Sequence, residues 1–333
     1  MKTLTLAMLL MLAIVTATGI GSVWIAPTTV ARILVDHFLG QGAGTAPSGA
    51  DAIVWDLRLP RVLLGALVGG GLGLVGTGLQ AATRNPLADP FLFGISSGAA
   101  LGAVLVLLHT GAALGPLTLS LAAFVGALLS MAMVAGIARR QGFLAPDRLI
   151  LGGVGVSFVL MAATNLLIFS GDQRGAASVL FWMLGGLGRA QWHLLAVPAI
   201  VLAIGFAWIF SRARQMNALL AGDETATTLG VEVGRLRLEL FVAAALVTAT
   251  MVALSGAIGF VGLMIPHVFR RLVGPDHRIL LPAATLGGAV FLVVVDACAR
   301  AMFAPEDLPV GIFTAAIGGS FFLWQMRCQR GPS

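Results

Sequence analysis

Three glycines spaced as in a dinucleotide-binding loop form the motif with the clearest possible chemistry. Gly71, Gly73 and Gly76 match the pattern GxGxxG. That pattern binds a pyrophosphate only between a strand and the start of a helix. Here the three glycines lie inside a long uncharged run that no strand precedes. We therefore predict that they allow close helix packing within lipid, where missing side chains let two backbones touch.

The other residues that could support catalysis are sparse. Lys2 is the only lysine, so a phosphate-binding loop of the GxxxxGK[ST] type is absent and any ATPase must be another chain. No cluster of His, Cys, Asp and Glu has metal-ligand spacing, and no nucleophile has a base at motif spacing. His267, after Pro266 in an apolar run, is more typical of a histidine bonded to nearby backbone than of a haem ligand. We predict no catalytic residue, no metal site and no cofactor.

Composition predicts a polytopic membrane protein. Hydrophobic residues make up 58% of the 333 and charged residues only 10%, whereas about a quarter of residues are charged in soluble proteins. The basic residues stand in short clusters between apolar runs, which indicates membrane topology rather than nucleic-acid binding. Cys298 lies in an apolar run and Cys328 in a basic tail, so a disulfide framework is not expected.

Ten apolar runs predict about ten transmembrane helices, because about twenty residues cross a ~30 Å hydrocarbon layer. The first run resembles a secretory signal but exceeds the roughly 7 to 15 apolar residues of a cleavable one, so we expect a retained helix. The seventh and eighth runs nearly meet, which indicates that one of them is broken or re-entrant. The runs are 4–26, 62–82, 91–108, 116–138, 149–170, 192–211, 238–256, 258–272, 279–299 and 308–326.

The distribution of basic residues supports an orientation. If the N-terminus is cytoplasmic and all ten runs span the membrane, 14 of the 20 basic residues lie inside and 6 outside. That excess agrees with the positive-inside rule. We predict that both termini are cytoplasmic.

Two connections between runs are unusually long. The outer one, Pro27–Trp55, contains the stretch Gly40–Gly49, whose composition predicts a flexible surface loop. The inner one, Ser211–Arg237, is polar but carries spaced apolar residues, which favours two short amphipathic helices on the cytoplasmic face. A solvated loop is the alternative, although a loop of this length in a compact protein is usually functional.

A weak internal repeat relates the two halves. RLPR at Arg58–Arg61 and RLR at Arg235–Arg237 each begin an apolar run that leads to a proline-containing turn and a small-residue segment. The predicted topology gives the two copies opposite orientations, as in the inverted repeats of transporters. We predict one transmembrane domain over 1–333, with repeat halves near 58–170 and 235–326 and a cytoplasmic segment at 212–237.

Four segments of the sequence match the signatures of a known family: RLPRVLLGALVG, LQAATRNPLADPFLFGISSGAALGA, GAIGFVGLMIPHVFRRLVGPDHR and ARAMFAPEDLPVGIFTAAIGGSFFLW. Through them the chain resembles, over nearly its whole length, the permease subunits of bacterial ABC importers for ferric siderophores, haem and cobalamin. The resemblance implies a ten-helix subunit of the inner membrane that forms a homodimer. It also implies two separate ATPase subunits below and one periplasmic substrate-binding protein above.

At the outer face, the resemblance implies that Arg58, Arg61 and Arg300 receive glutamates of the binding protein. Arginine suits this role because its planar fork binds a carboxylate through two hydrogen bonds. Arginines at the ends of apolar runs can also act simply as interface anchors. Arg174, near the outer boundary, has two interpretations as well: a snorkelling side chain, or a cation at the mouth of the substrate path that meets carboxylates of an anionic cargo.

At the inner face, the resemblance implies two functional regions. The cytoplasmic gate is expected at two turns, although Asn-Pro is also an ordinary helix stop. The coupling segment is expected to fit a groove in the ATPase. The gate residues are Asn85, Leu87, Ala145 and Pro146, and the coupling residues are Met216, Leu219, Leu220, Gly222, Asp223, Glu224, Leu229 and Gly230.

These observations predict a permease without chemistry of its own that imports an iron chelate, with cobalamin as the alternative cargo. An intramembrane enzyme or an ion-driven secondary transporter would need polar groups within its helices, and the clearest intramembrane carboxylate is Asp296. The expected partners are a second copy of the chain, two ATPase subunits, a periplasmic binding protein and membrane lipid, but no nucleic acid.

Overall fold

The computed structural model describes residues 2–39, 48–111, 115, 117–140, 143–144, 146–172, 175–302 and 307–328. Apart from one pair of two-residue strands, β1 (Arg139–Arg140) and β2 (Phe143–Leu144), the regular structure in these ranges is helical. The helices are α1 (Lys2–Gly19), α2 (Pro27–Phe38), α3 (Ser48–Ala52), α4 (Leu59–Thr83), α5 (Ile95–Leu105), α6 (Leu117–Ala138), α7 (Pro146–Ser170), α8 (Ala176–Met183), α9 (Ala196–Ser211), α10 (Ala213–Leu219), α11 (Asp223–Thr228), α12 (Val233–Ser255), α13 (Val261–Val273), α14 (His277–Met302) and α15 (Val310–Cys328).

Every predicted apolar run contains a helix, which confirms the all-α membrane fold. Six segments of the described chain are long and apolar enough to cross a membrane, and 3–19 and 95–110 are shorter apolar helices. The six segments are 49–83, 117–138, 147–170, 192–211, 233–255 and 277–302.

Helix α4 forms the centre of the bundle because glycines allow its neighbours to approach closely. A Cβ added at Gly73 would collide with the backbone of Ala284 in α14, and one at Gly76 with the backbone of Gly262 in α13. At Gly71 the neighbour is instead the side chain of Met251 in α12. The prediction that GxGxxG serves helix packing is confirmed, since all three glycines face a packed helix.

The near contact between the seventh and eighth runs marks a real interruption. Helix α12 ends at Ser255 and α13 begins at Val261, with Gly256 and Phe260 both in left-handed conformations at φ 67°. The 13 residues of α13 extend about 20 Å, which is too short to cross a ~30 Å layer. The prediction of a broken helix is therefore confirmed.

The outer segment Pro27–Trp55 contains two helices that the sequence did not predict. Helix α2 starts at Pro27, whose fixed φ suits the first helical turn, and buries Val30 and Ile33. Farther along, α3 and a π-helical turn at Ile53–Arg58 lead directly into α4. Most of the predicted Gly40–Gly49 loop, residues 40–47, lies outside the described residues.

The helices that follow Arg58 and those that follow Arg235 do not correspond one to one, so the helix order does not support the predicted internal repeat. One helix, α4, separates Arg58 from the turn at Asn85, whereas α12 and α13 both lie between Arg235 and the turn before α14. The two proline-containing turns are therefore not equivalent positions. The inverted repeat itself stays a prediction.

Candidate functional site

A buried carboxylate joins α4 and α14 at the end of the bundle that the predicted orientation places outside, called the outer end below, with the opposite end called the inner end. Asp296 of α14 accepts a hydrogen bond from Arg61 Nε at 3.0 Å and another from Arg300 Nε at 2.9 Å. Asp296 is 1% exposed, so both charge-assisted bonds form away from water. Arg300 follows Asp296 by four residues, the spacing that places two side chains on one helix face.

Arg58 and Arg300 bind the backbone at the end of α1. Arg58 donates to the carbonyl oxygens of Gly19 at 2.9 Å and Val23 at 2.6 Å, and Arg300 donates to that of Ala17 at 2.9 Å and to that of Ile20. The last carbonyls of a helix have no partner within the helix and carry partial negative charge. Guanidinium groups are therefore suited to satisfy them.

The three arginines predicted for docking are thus brought together, but they are not an exposed rim. Arg58, Arg61 and Arg300 are 7%, 8% and 5% exposed in the single chain. Their side chains fasten α1, α4 and α14 to one another, which goes beyond the anchoring role considered from the sequence. Docking through these residues stays a prediction, and it requires access to a guanidinium edge.

An outer cavity of about 560 Å³ gives access to one such edge, that of Arg61. There Arg61 Nη1 pairs with Asp307 Oδ2 at 2.5 Å, and the Asp307 side chain is 59% exposed. The exposed Arg189 also lines this cavity, together with apolar residues such as Leu187 and Pro309. The sequence predicted Arg189 only as one of the six outer basic residues, because the residues around it show no recognisable charge pattern.

A second cavity, of about 640 Å³, has an apolar wall. Residues of α8, α13, α15 and the connection between α12 and α13 line it, and Asp89 is the only ionisable residue among the described residues that line it. Asp89 Oδ1 accepts from the backbone N–H of Phe91 at 2.8 Å, which caps the 3₁₀ turn Pro90–Phe93. Within the described chain, Oδ2 is buried without a hydrogen-bond partner. Burial raises the pKa of Asp89 to about 6.

The predicted coupling segment forms two short helices, α10 and α11, as expected from its apolar spacing. Met216 and Leu219 are buried against the bundle, whereas Leu220 and Leu229 are exposed. Of the other predicted coupling residues, Glu224 and Gly230 are exposed and Gly222 is half-buried. The segment therefore has one face attached to the membrane helices and one face free for a partner.

Asp223, also predicted for coupling, ties this segment to the core. Arg237 Nη2 donates to Asp223 at 2.9 Å, while Arg237 Nε donates to the carbonyl oxygen of Ala82 at 2.8 Å. Arg84 lies 3.7 Å from the same carboxylate. Asp223 thus links α11 to the inner ends of both α12 and α4.

A further inner network, which sequence reasoning missed, joins α10 to α14. Asn217 Nδ2 donates to Asp276 Oδ1 at 2.6 Å, and Asn217 Oδ1 accepts from the backbone N–H of His277 at 2.9 Å. The pKa of Asp276 is lowered, chiefly by the hydrogen bond from Asn217. The Pro-Asp-His sequence signalled only a turn, because Asn217 lies sixty residues before it.

The described gate residues lie in two separate parts of the chain, a turn after α4 and the start of α7. Asn85 Oδ1 accepts from the backbone N–H of Leu87 at 2.9 Å, just after Arg84 ends α4 in a left-handed conformation, and Leu87 is exposed. Pro146 begins α7, and Ala145 lies outside the described residues. The observed hydrogen bond supports a defined turn, and gating stays a prediction.

Two remaining candidates have different outcomes. Arg174 lies outside the described residues. Among the described residues, His267 Nε2 is buried without a hydrogen-bond partner, and its ring packs in T-shaped contacts with Phe321 and Phe322, so the expected backbone bond was wrong for this nitrogen. Among the described residues, no group of three or more His, Cys, Asp or Glu is placed to hold a metal ion.

Comparison with known proteins places this geometry in a family. The model of the FecCD transport family matches residues 9–328. The cobalamin import system permease protein BtuC of Halobacterium salinarum is 44% identical over 281 residues, 84% of this chain and 75% of that protein. The hemin transport system permease protein HmuU of Yersinia pestis is 41% identical over 282 residues, 83% of this chain and 84% of that protein. A solved ABC transporter in an inward-facing conformation, assigned only provisionally to the metal-chelate type, matches with a TM-score of 0.81 and 31% identity, over 96% of each chain.

Proposed function

We propose that this chain, which belongs to the FecCD transport family and is the permease subunit of an ABC importer, carries an iron chelate from the periplasm to the cytoplasm. The cargo is a ferric siderophore or haem. The observation that carries this choice is the match to a transporter provisionally assigned to the metal-chelate type over 96% of both chains. Cobalamin is the alternative, because several relatives are cobalamin permeases, among them the one that is 44% identical.

The cations at the outer face also favour an anionic cargo. Arg189 is exposed in the outer cavity, and Arg174 is close to it in sequence. Carboxylates of haem or of an anionic siderophore would be attracted to these guanidinium groups. Cobalamin lacks free carboxylates, so its transport should depend much less on them.

The working assembly is a homodimer with two ATPase subunits on the cytoplasmic side and one binding protein on the periplasmic side. Both termini are cytoplasmic. The ATPase is a separate chain, since Lys2 as the only lysine leaves this chain without a phosphate-binding loop. The exposed Leu220 and Leu229 of the coupling segment fit a groove in that ATPase. Asp223 carries the movement of that segment to α4 and α12.

The outer arginines receive the acidic binding protein through Arg61, whose Nη1 edge borders the outer cavity. Arg58 and Arg300 act behind it by raising the positive potential and holding α1 in place. The turns at Asn85 and at Pro146 act as the cytoplasmic gate.

Reconstituted uptake tests the proposal. Permease, ATPase and binding protein are placed in proteoliposomes, and uptake of ferric siderophore, haem and cobalamin is measured with and without ATP. ATP-dependent uptake of an iron chelate in preference to cobalamin is the expected result. Preferential cobalamin uptake would overturn the cargo assignment. Uptake by the permease alone on a proton or sodium gradient would instead establish a secondary transporter.

A further inference from the structure

Arg61 has two carboxylate partners that differ sharply in environment. Its Nε donates to Asp296, which is 1% exposed, and its Nη1 pairs with Asp307, whose side chain is 59% exposed. The first partner is fixed on α14 inside the bundle. The second precedes α15 and borders the outer cavity. One guanidinium therefore has a permanent partner and a replaceable one.

Among the described residues, the cluster has fewer carboxylates than guanidinium groups. It contains three guanidinium groups, those of Arg58, Arg61 and Arg300, and two carboxylates, those of Asp296 and Asp307. The hydrogen bonds from Arg58 go to backbone carbonyl oxygens. Without Asp307 the cluster would carry two excess positive charges, so this exposed carboxylate neutralises a site that would otherwise attract another anion.

The outer cavity leaves room for such an anion. A Cβ placed on Gly188 would lie 3.8 Å from Arg61 Nη1 and 4.0 Å from Asp307 Oδ2, so this position stands directly beside the ion pair. Because residue 188 has no side chain, the pair is open to the cavity of about 560 Å³. Arg189, the next residue, adds a second cation on the same approach.

We infer that Asp307 is an internal competitor: it occupies Arg61 in the free permease and is displaced when a carboxylate of a docking protein takes its place. This inference rests on the proposed function, in which an acidic binding protein docks at the outer face. Arg61 is buried and also paired with Asp296, whereas Asp307 is largely exposed to solvent, so Asp307 can be exchanged at small cost. An arginine edge can accept the new carboxylate with similar geometry.

Competition predicts that Asp307→Asn tightens docking. Removal of the competing Asp307 carboxylate is expected to lower the Kd for the binding protein about three- to fivefold. The measurement uses permease in nanodiscs and a purified binding protein that supports uptake in the proteoliposome assay. Asp56→Asn is the matched control, because it removes one exposed negative charge from the π-helical turn just before α4. General electrostatic attraction would affect both variants alike.

A double-variant comparison isolates the pair itself. In an Arg61→Met background, Asp307→Asn is expected to leave the Kd unchanged, since there is no guanidinium to compete for. Equal effects of Asp307→Asn with and without Arg61 would overturn the inference, as would a Kd no lower than that of Asp56→Asn. Weaker docking of Asp307→Asn would show that Asp307 is a structural latch. If the wild-type permease itself fails to bind, the docking part of the proposed function is wrong.

Discussion

Asp296→Asn should strongly destabilise the protein, because Asp296 is the shared partner of two buried arginines. Its two oxygens accept from Arg61 Nε and Arg300 Nε at 3.0 and 2.9 Å. Asparagine keeps one acceptor oxygen and no charge, so one arginine loses its acceptor and both lose their buried counter-charge.

The magnitude follows from the burial of the pair. Removal of one partner from a buried ion pair typically costs about 3–5 kcal/mol, since the remaining charge stays desolvated. Asp307 also pairs with Arg61, but it is largely exposed, and Asp307→Asn should therefore cost less than about 1 kcal/mol. The two substitutions change the same functional group around the same arginine and differ mainly in exposure.

The assay is unfolding of the detergent-solubilised protein by a denaturing detergent, followed through its six tryptophans. Wild type, Asp296→Asn and Asp307→Asn are compared for the free energy of unfolding. If the free energies of unfolding of Asp296→Asn and Asp307→Asn differ by less than about 1 kcal/mol, the buried pair does not hold α4 to α14 and the argument from exposure is refuted.

Three further predictions test packing, protonation and coupling. Gly76→Ala should lower the free energy of unfolding by about 1–3 kcal/mol, because its Cβ meets the backbone of α13. As a control in the same assay, Gly78→Ala should be neutral or stabilising, because its Cβ meets only a side chain at 3.8 Å. Burial raises the pKa of Asp89 from 3.8 to about 6, so between pH 3.8 and about 6 the folded state keeps a proton that the unfolded chain has lost. The free energy of unfolding should therefore fall by up to about 3 kcal/mol as pH rises from 4 to 7. The Asp89→Asn variant should lack this pH-dependent component. Asn217→Ala should reduce transport per ATP about fivefold or more while ATPase binding persists, and Gln215→Ala on the same helix should not; equal loss in both would show that the inner network is not required.

The positions of the membrane helices could be predicted because lipid imposes a length and a composition on each span. The packing role of Gly73 and Gly76 followed from the same logic, since glycine inside an apolar run serves backbone contact. Helix α2 was missed because its two buried residues, Val30 and Ile33, stand in a short segment beside a Gly-rich stretch. Periodicity over so few residues does not distinguish a surface helix from a loop.

The outer site could be predicted in membership but not in arrangement. Hydropathy places Arg58, Arg61 and Arg300 at the ends of apolar runs, and it suggests exposure there. Their burial depends on α1, whose last carbonyl oxygens cover them, and on Asp296, which lies 235 residues from Arg61. The sequence did contain a local signal, because Asp296 precedes Arg300 by one helical turn, but that signal does not reveal the third member from α4.

Helix α14 connects the two regions on which the proposed function depends. It extends about 39 Å over 26 residues, and Asn217 of α10 holds its first residue, His277, at the inner face. Near its outer end, Asp296 and Arg300 hold Arg61 and the end of α1. Between these points α14 lies backbone to backbone against α4 at Ala284, where glycine leaves no layer of side chains to absorb a shift. Under the proposed function, a displacement of α10 by the ATPase would have a direct mechanical route to the outer arginines, because a close-packed helix transmits strain rather than deforming.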